Sequence, residues 1–430
     1  MKRNPLAHVR GMNDLLPDET FHWQKIESVA RDVFHRAGYR EIRLPLVEEA
    51  ALFIRSIGEV TDIVEKEMYL FDDRNGDRLA LRPEATAGCV RAVIEHHLGR
   101  EGVQRLWYTG PMFRHERPQK GRQRQFHQIG VEVFGISTPD LEAELLLLTD
   151  ELWTALGLTG LTLEINTLGT TDERSHYREV LLDYFTPHRG ELEPDDARRL
   201  DRNPLRLLDS KSERTRALLE GAPRLIDSLG PDSRAHWERV LELVTATGVS
   251  FRVNPTLVRG LDYYTQTVFE WTSPALGAQS AVCSGGRYDN LVEHLGGSPL
   301  PAVGWALGIE RLAALVPAHR PKGPDAVVIP VGARAEAVCL ALLRDLHRLL
   351  PGRQIESSLG AGSLKARLKQ ADRTGARRAV IVGEDELMRG VVQVKTLVGE
   401  RRTDFVPRAE LVEYLVGAAG RADSSVEDRR

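Results

Sequence analysis

The sequence contains few cysteines and no long apolar run. Its 430 residues include three cysteines, Cys89, Cys283 and Cys339, which are odd in number and far apart. This argues against a disulfide framework and against a zinc site. The most leucine-rich stretch, 141–158, is interrupted by four acidic residues, so no membrane span is predicted. The N-terminal segment lacks the apolar core of a secretory signal, and we therefore expect a cytoplasmic protein.

An excess of positive charge is also missing. The formal net charge is −4, with 42% hydrophobic and 28% charged residues, which is typical of a soluble globular protein. The length allows two to four domains with substantial cores. A protein that binds polyanions without specificity is normally basic, so any RNA binding must use local basic patches.

The strongest such patch is the segment 105–135, which is predicted to form a β-hairpin. Its two ends have strand character, and residues 118–121, Pro-Gln-Lys-Gly, are typical of a loop. Up to Arg124 it carries six basic residues against one acid, Glu116: Arg105, Arg114, Arg117, Lys120, Arg122 and Arg124. Each arginine offers a planar fork to phosphate oxygens, and Phe126 beside them could stack on a base. Gln128 and Glu132 share one strand face. Charge alone would favour a solvated basic loop.

This hairpin, GPMFRHERPQKGRQRQFHQIGVEVFG, resembles motif 2 of the class II aminoacyl-tRNA synthetases, in the form found in the histidyl-tRNA synthetase family. The helix predicted to start at Asp18 and the strand 40–47, interrupted by Pro45, resemble motif 1, the dimerisation element. An ordinary helix–strand pair would look the same. GWALGIERL, ending at Leu312, resembles motif 3, with Arg311 near a strand–helix junction.

Two further segments resemble sequences of the same family. LVRGLDYY at 257–264 is similar to its histidine-specific motif, although composition alone would favour a strand with a surface arginine and core tyrosines. The family commonly has Asn-Arg where Thr265 and Gln266 stand, so these two receive no role. In CSGGRYD at 283–289 two glycines allow close backbone approach to a ligand, and the resemblance implies that Tyr288 lines the amino-acid pocket.

The segment Arg82-Pro83-Glu84-Ala85-Thr86 lies between a predicted strand and a predicted helix. The family pattern is RPEGT, so Ala85 replaces a glycine and the backbone there must not need a positive φ. The resemblance implies that Glu84 and Thr86 contact the α-amino group of the amino acid. Simple capping of the following helix is the alternative.

The resemblance implies two groups of site residues. Arg114 and Arg259 are expected to be catalytic at the α-phosphate of ATP, Arg122 and Arg311 to hold the outer phosphates with Mg²⁺, and Phe126 to stack on adenine. Glu132 and Tyr264 are expected to contact the imidazole nitrogens. The full histidine-binding set is Glu84, Thr86, Gln128, Glu132, Tyr263, Tyr264 and Tyr288. No metal site built from protein ligands is expected, because magnesium here would be carried by phosphates.

An α+β fold is expected: a class II synthetase antiparallel sheet flanked by helices, with a helical insertion and a C-terminal α/β anticodon-binding domain. The catalytic domain would span 1–325 with the insertion at 170–250, the second domain 326–420, and a disordered tail 421–430. A basic patch in the second domain could contact RNA or be a solvated helix face. Its members are Lys365, Arg367, Lys369, Arg373, Arg377 and Arg378.

Hydrophobic periodicity predicts individual elements as well. Helices are expected at 86–97, 140–156, 335–350 and 363–371. Residues 61–82 are predicted to be rich in strand with a tight turn at 73–77. Further strands are expected at 161–165, 251–254, 326–331, 354–359, 379–382 and 390–397.

The implied activity is activation of L-histidine with ATP to histidyl-adenylate, followed by transfer of histidine to the 3′ end of tRNA(His), in a homodimer without membrane association. One alternative is the non-catalytic, histidine-sensing regulatory subunit of ATP phosphoribosyltransferase. Such paralogues usually lack the C-terminal domain and the ATP-binding arginines. Another is an uncharged-tRNA-sensing domain, which normally belongs to a much larger chain.

Overall fold

The computed structural model describes residues 6–58, 61–119, 121–318, 323–360 and 362–417. The chain forms two compact units, residues 1–319 and 320–430. Lys120 of the basic hairpin and the predicted tail 421–430 lie outside the described residues.

The first unit is built on strands and helices that alternate irregularly along the chain. Its strands are β1 Arg40–Glu41, β2 Val47–Glu49, β3 Tyr69–Asp72, β4 Arg78–Leu81, β5 Gln104–Phe113, β6 Gln125–Phe134, β7 Thr162–Thr167, β8 Phe251–Val253, β9 Thr265–Thr272, β10 Ala281–Arg287 and β11 Ala302–Gly308. Its helices are α1 Pro17–Arg36, α2 Ala50–Ile57, α3 Thr86–Glu95, α4 Asp140–Ala155, α5 Thr171–Phe185, α6 Pro194–Arg202, α7 Glu213–Leu219, α8 Pro231–Thr247, α9 Leu291–His294 and α10 Ile309–Ala313.

Eight of these strands form one large sheet in the order β1-β5-β6-β11-β10-β9-β7-β8. Every neighbouring pair is antiparallel except β1 with β5 and β7 with β8, at the two edges. The predicted antiparallel sheet flanked by helices is therefore confirmed. A smaller sheet has the order β2-β4-β3.

One face of the large sheet is covered by α1, α4 and α8. Phe34 of α1, Leu145 of α4 and Trp237 of α8 belong to one buried cluster with strand residues such as Val131 and Trp305. Side chains alternate along a strand, so Val131 of β6 faces these helices while its neighbour Glu132 faces the other side. The apolar packing on the helical face thus leaves the opposite face available for polar groups.

The helical insertion lies between β7 and β8, as α5 to α8. Its own buried residues include Tyr177, Leu181 and Phe185, which pack together with Tyr263 and Tyr264 of the following loop. The insertion therefore shares one apolar cluster with the segment that resembles the histidine-specific motif.

The prediction of a single interrupted strand at 40–47 is wrong. β1 and β2 are separate and belong to different sheets. The guanidinium of Arg82 donates hydrogen bonds to the backbone carbonyls of Leu44 and Pro45, at 3.1 and 3.3 Å. These carbonyls therefore bind a side chain and not a neighbouring strand. A side chain distant in sequence thus separates the two strands.

The strand-rich prediction for 61–82 is only half correct. β3 and β4 pair across the predicted turn, where the Asp73 carboxylate accepts hydrogen bonds from the backbone of Asn75 and Asp77 at 2.7 and 2.9 Å. Residues Ile63–Glu67, however, form a short π-helical turn. An ion pair of 2.9 Å between Lys66 and Asp62, four residues apart, supports that turn.

Other predicted elements are present. α1 begins at Pro17 with two acidic residues in its first turn and is followed by Gly38 at φ 81°, consistent with its start and stop signals. The predicted helices at 86–97 and 140–156 correspond to α3 and α4, and the strands at 161–165 and 251–254 to β7 and β8.

The second unit contains a mixed five-stranded sheet in the order β13-β12-β14-β15-β16, with the first three strands parallel. Its elements are β12 Ala326–Pro330, α11 Ala333–Leu349, β13 Ile355–Ser357, α12 Leu364–Arg373, β14 Arg378–Val382, α13 Glu384–Arg389, β15 Val391–Thr396, β16 Thr403–Pro407 and α14 Leu411–Gly417. The predicted α/β sheet is confirmed. β16 was not predicted, because its inward-facing residues are Asp404 and Val406 while Phe405 between them is exposed, so hydrophobicity does not alternate along the sequence.

The basic patch of this unit is not uniformly exposed. Arg378 is buried in β14. The Arg367 guanidinium donates to the backbone carbonyls of Pro330, at 2.6 Å, and Gly360. These two residues therefore have structural contacts of their own.

Candidate active site

All twelve predicted site residues of the first unit line one cavity of about 370 Å³. They come from β6 and the hairpin loop that precedes it, from the β4–α3 junction, from the segment before β9, from the end of β10 and from α10. The residues are Glu84, Thr86, Arg114, Arg122, Phe126, Gln128, Glu132, Arg259, Tyr263, Tyr264, Tyr288 and Arg311. Thr265 and Gln266, to which no role was assigned, are absent from the described lining.

Glu132 lies at the closed end of the cavity with 1% of its surface exposed. Its carboxyl group accepts hydrogen bonds from the Thr86 hydroxyl at 2.7 Å, from the Tyr108 hydroxyl at 3.2 Å and from the Tyr288 hydroxyl. Burial raises the pKa of Glu132 to about 8. The pocket around Glu132 thus favours a neutral carboxyl group near pH 7.

Two glycines make room for this group. Gly304 lies opposite Glu132 on β11, and a Cβ atom there would overlap the Glu132 carboxylate and approach the Val131 carbonyl oxygen to 2.6 Å. A Cβ atom on Gly130 would overlap the ring of Tyr108. Both strands can therefore approach the buried acid only with glycine at these positions.

Glu84 is a second buried carboxylate, 4% exposed. It accepts hydrogen bonds from the backbone N–H groups of Thr86 and Ala87, at 2.5 and 3.0 Å, in the first turn of α3. Burial raises the pKa of Glu84 despite these donors. Ala85 has φ −116°, so alanine in place of the family's glycine causes no backbone strain. The capping alternative is thus observed, and it leaves further lone pairs of the carboxylate for a ligand.

Three tyrosines form the wall beside Glu132. The ring centroids of Tyr263 and Tyr264 are 4.6 Å apart, and Tyr288 lies 5.5 Å from Tyr263 and 6.4 Å from Tyr264. All three are buried, and burial raises the pKa of Tyr264 to about 12. Their phenol groups therefore stay protonated and provide directional donors.

Arg259 enters the cavity from the segment before β9 and forms an ion pair with Glu270. Its Nε atom is buried and has no hydrogen-bond partner among the described residues, and the same holds for the Oε1 atom of Gln128. Unpaired buried polar atoms are costly. Arg259 and Gln128, which both line the cavity, thus keep one unpaired donor and one unpaired acceptor among the described residues.

The segment that carries Arg259 is held by the insertion. The Arg174 guanidinium of α5 donates to the backbone carbonyl of Tyr264, and Arg206 donates to the carbonyl of Gly260 at 2.9 Å. The insertion therefore fixes the backbone on which Arg259 and the tyrosines are mounted.

Arg114 follows β5 and Arg122 precedes β6, so both lie in the loop of the hairpin. The Arg114 guanidinium donates through Nε to the Pro83 carbonyl at 2.8 Å and lies 5.3 Å from the centroid of the Phe126 ring. Arg122 lies 3.1 Å from Glu116. The hairpin thus places two cations and one aromatic face beside each other.

Arg311 occupies the first turn of α10. It donates to the backbone carbonyls of Gly121 and Ala281 at 3.0 and 2.9 Å. Burial lowers the pKa of Arg311, and repulsion from Arg122 adds to that effect. Cations that destabilise one another in this way favour an anionic ligand between them.

The sequence analysis missed four residues that contact the site: Tyr108, Glu116, Glu270 and Glu310. Glu310 accepts the backbone N–H of His127 at 2.9 Å and the His127 ring at 3.1 Å. The GIERL segment contains this glutamate, but nothing in the sequence indicates that it contacts β6.

Neither a metal cluster nor a membrane helix is found in the part of the chain that the structure describes. No three histidine, cysteine, aspartate or glutamate side chains there are grouped to hold a metal ion. No described helix is long and apolar enough to cross a bilayer.

Family models match nearly the whole chain. The model described as histidyl-tRNA synthetase matches residues 11–312. The model described as an anticodon binding domain matches residues 325–417.

Individual relatives agree with these matches. A protein named histidine–tRNA ligase from Hydrogenovibrio crunogenus is 50% identical over 411 residues, covering 95% of this chain and 96% of that protein. Another of the same name from Halorhodospira halophila is 50% identical over 425 residues, covering 98% and 100%. The crystal structure of apo histidyl-tRNA synthetase from S. aureus is 33% identical, with a TM-score of 0.79, and covers 96% of this chain and 100% of that one.

Proposed function

Since this chain belongs to the histidyl-tRNA synthetase family, we infer that it ligates histidine to tRNA with ATP, and we propose a role for each group in the cavity. One observation carries the assignment. Residues from five separate segments meet around one cavity, and its lining combines buried acids and tyrosines with four arginines.

The regulatory-subunit alternative fits this chain poorly. All four arginines expected for ATP, Arg114, Arg122, Arg259 and Arg311, line the cavity. The chain also carries the anticodon-binding domain at 325–417, and relatives at 50% identity over nearly the full length are named as ligases. The sensing-domain alternative is disfavoured by the same full-length matches.

The first step joins histidine to ATP. The histidine carboxylate attacks the α-phosphorus of ATP, a C–O–P linkage forms, and the bond to the leaving pyrophosphate breaks. Such chemistry depends on positioning and on charge neutralisation more than on covalent help from the protein. Arg114 and Arg259 are the proposed catalytic residues, because their guanidiniums can bind the α-phosphate as its negative charge grows.

Arg122 and Arg311 would bind the outer phosphates, and Phe126 would stack on adenine. Support comes from the fixed placement of Arg311 by two backbone carbonyls and from the mutual repulsion of the arginines. The face of Phe126 beside Arg114 is already occupied by that guanidinium, so adenine would use the opposite ring face.

Mg²⁺ would be carried mainly by phosphate oxygens, where it neutralises charge. Glu116 and Glu270 line the same cavity and form ion pairs with Arg122 and Arg259, so they lie near the proposed phosphate end. Two such carboxylates match the one or two protein contacts that Mg²⁺ bound to a nucleotide usually keeps. They are the residues we propose for it.

Histidine would occupy the opposite end of the cavity. Glu132 and Tyr264 would contact the two imidazole nitrogens, with Tyr263 and Tyr288 completing the wall. Glu84, Thr86 and the unpaired Oε1 of Gln128 would bind the ammonium group. A buried polar pocket rejects amino acids that leave its groups unpaired, which would give histidine specificity without an editing site.

In the second step the terminal ribose hydroxyl of tRNA(His) attacks the carbonyl carbon of the adenylate, and AMP leaves. Arg117 and Gln119 at the hairpin tip are proposed to contact the acceptor end. The anticodon would bind the second unit. We further propose domains at 1–325, with the insertion at 170–250, and at 326–420, and a homodimer that works in the cytoplasm.

Histidine-dependent exchange between ATP and pyrophosphate tests this function directly. The purified chain should exchange label with histidine and not with other amino acids, and should charge tRNA(His) with radioactive histidine. Histidine binding without exchange would instead support the regulatory role. Exchange without charging would contradict only the tRNA assignment.

A further inference from the structure

Arg287 has no exposed surface, and it is not part of the cavity lining. It immediately precedes Tyr288, whose hydroxyl donates to Glu132. All five of its N–H groups have an acceptor. The contacts are Glu142 at 2.8 and 2.5 Å, the Ile136 carbonyl at 3.0 Å, the Thr138 carbonyl at 3.2 Å and Asp289 at 3.1 Å.

Tyr288 is also fixed from its other side. The Asp289 carboxylate accepts the backbone N–H of Ala302 at 3.0 Å, and the backbone N–H of Tyr288 donates to the Ala302 carbonyl at 2.8 Å. Tyr288 and Asp289 are thus bound to the first residue of β11, and Arg287 to Asp289. These contacts fix the backbone that carries the Tyr288 ring.

Glu142 of α4 connects this group to the insertion. It is fully buried and accepts a hydrogen bond of 2.8 Å from the ring of His236, which belongs to α8. Thr267 of β9 adds a contact of 3.4 Å. His236 therefore orients the Glu142 carboxylate, which in turn binds Arg287. Neither His236 nor Glu142 belongs to the cavity lining.

A fully buried ion pair is a weak source of net stability, because desolvation offsets the attraction. What a guanidinium with five satisfied donors does provide is direction, since its donors form a rigid planar fork. The arrangement Arg287–Glu142–His236 is therefore better explained by the geometry it imposes on its neighbour than by the stability it adds.

We propose that Arg287 is a positioning residue for the histidine subsite, held in turn by Glu142 and His236, and that it acts by fixing Tyr288 against Glu132. This inference rests on the proposed function, in which Tyr288 and Glu132 contact histidine. It predicts an effect on one substrate only, because among the described residues the hydrogen bonds of Arg287, Glu142 and His236 involve no residue of the proposed ATP end.

The test compares His236→Leu with His236→Gln in ATP–pyrophosphate exchange. His236 is only partly buried, so both variants should fold, and glutamine keeps an N–H donor for Glu142. We expect the KM for histidine to rise several-fold in the leucine variant and to return near the wild-type value in the glutamine variant. The KM for ATP should stay within about twofold in both.

Arg287→Lys gives a stronger perturbation of the same group. Lysine keeps the charge and loses the fork, and we expect the KM for histidine to rise about tenfold or more, as for a misplaced contact in an active site. Glu144→Gln is the matched control. Glu144 lies on the same helix as Glu142, and the substitution breaks its ion pair with Arg105. It should change neither KM.

The two hypotheses fail in different ways. A wild-type chain that does not exchange with histidine would overturn the proposed function. Normal exchange together with an unchanged KM for histidine in folded His236→Leu, or an equal rise of both KM values, would overturn the positioning role alone.

Discussion

The Arg259 guanidinium forms an ion pair with Glu270 while its buried Nε atom has no partner among the described residues. One side of the group is thus anchored and the other is available for a ligand. The proposed catalytic role of Arg259 requires such an anchored group, because a transition state is stabilised best by charges that are already oriented.

Arg259→Ala should remove this stabilisation while leaving the histidine pocket in place. We expect a fall of about 10²–10³-fold in the exchange rate, with histidine affinity mostly retained. Pyrophosphate exchange and calorimetric titration with histidine measure the two effects. Arg252→Ala, which removes an arginine paired with Glu164 outside the cavity lining, is the control. Near-normal exchange by Arg259→Ala would refute its catalytic role.

Relative to the wild type, Glu132→Gln should gain stability as pH rises. The pKa of Glu132 is about 8 in the folded chain and near 4.5 when unfolded. The contribution of the carboxyl group to the free energy of unfolding is therefore fully present below pH 4.5. It is lost as pH rises to 8, because over this range the unfolded state ionises and the folded state does not. The free energy of unfolding of Glu132→Gln relative to the wild type should accordingly grow between pH 5 and 8. A difference that is constant with pH would contradict the raised pKa.

Histidine binding at pH 7 should release a proton from Glu132. In the empty pocket this group is mostly neutral, and hydrogen bonding or charge from the ligand favours the carboxylate. Calorimetry in two buffers with different heats of ionisation counts the protons, and Glu132→Gln corrects for those of histidine itself. Equal proton counts for the two proteins would show that Glu132 keeps its proton.

Gly304→Ala should damage the histidine pocket. Its Cβ atom would overlap the Glu132 carboxylate and come within 2.6 Å of the Val131 carbonyl oxygen, and we expect a loss of about 1–3 kcal/mol in the free energy of unfolding together with weaker histidine binding. At Gly308 on the same strand an added Cβ meets nothing within 4 Å. Gly308→Ala should therefore unfold at nearly the same denaturant concentration as the wild type. A stable Gly304→Ala protein with full affinity would show that the strands can separate.

What the sequence could predict depended on how local each signal was. Phe126, Gln128 and Glu132 follow one another on a single strand, and Arg311 lies where a strand pattern changes to a helix pattern, so motif and periodicity located them. Their positions around one cavity agree with that prediction. The functional role of each residue stays a prediction.

The contacts that the sequence could not indicate depend on pairing across the sheet. Tyr108 reaches Glu132 because β5 and β6 pair Tyr108 with Gly130, a register that no single strand reveals. Glu270, on β9, forms an ion pair with Arg259, which lies before that strand. The strand prediction at 40–47 failed for a similar reason. Arg82, from another part of the chain, donates hydrogen bonds to the carbonyl groups between β1 and β2.

The burial of the cysteines has a practical consequence. Cys89, Cys283 and Cys339 are all buried free thiols, and burial raises the pKa of each, to about 11 for Cys339. Thiolate is the reactive form, so maleimide dyes should label the native chain slowly. A single cysteine introduced at an exposed position would then accept a fluorophore selectively, without prior removal of the natural three.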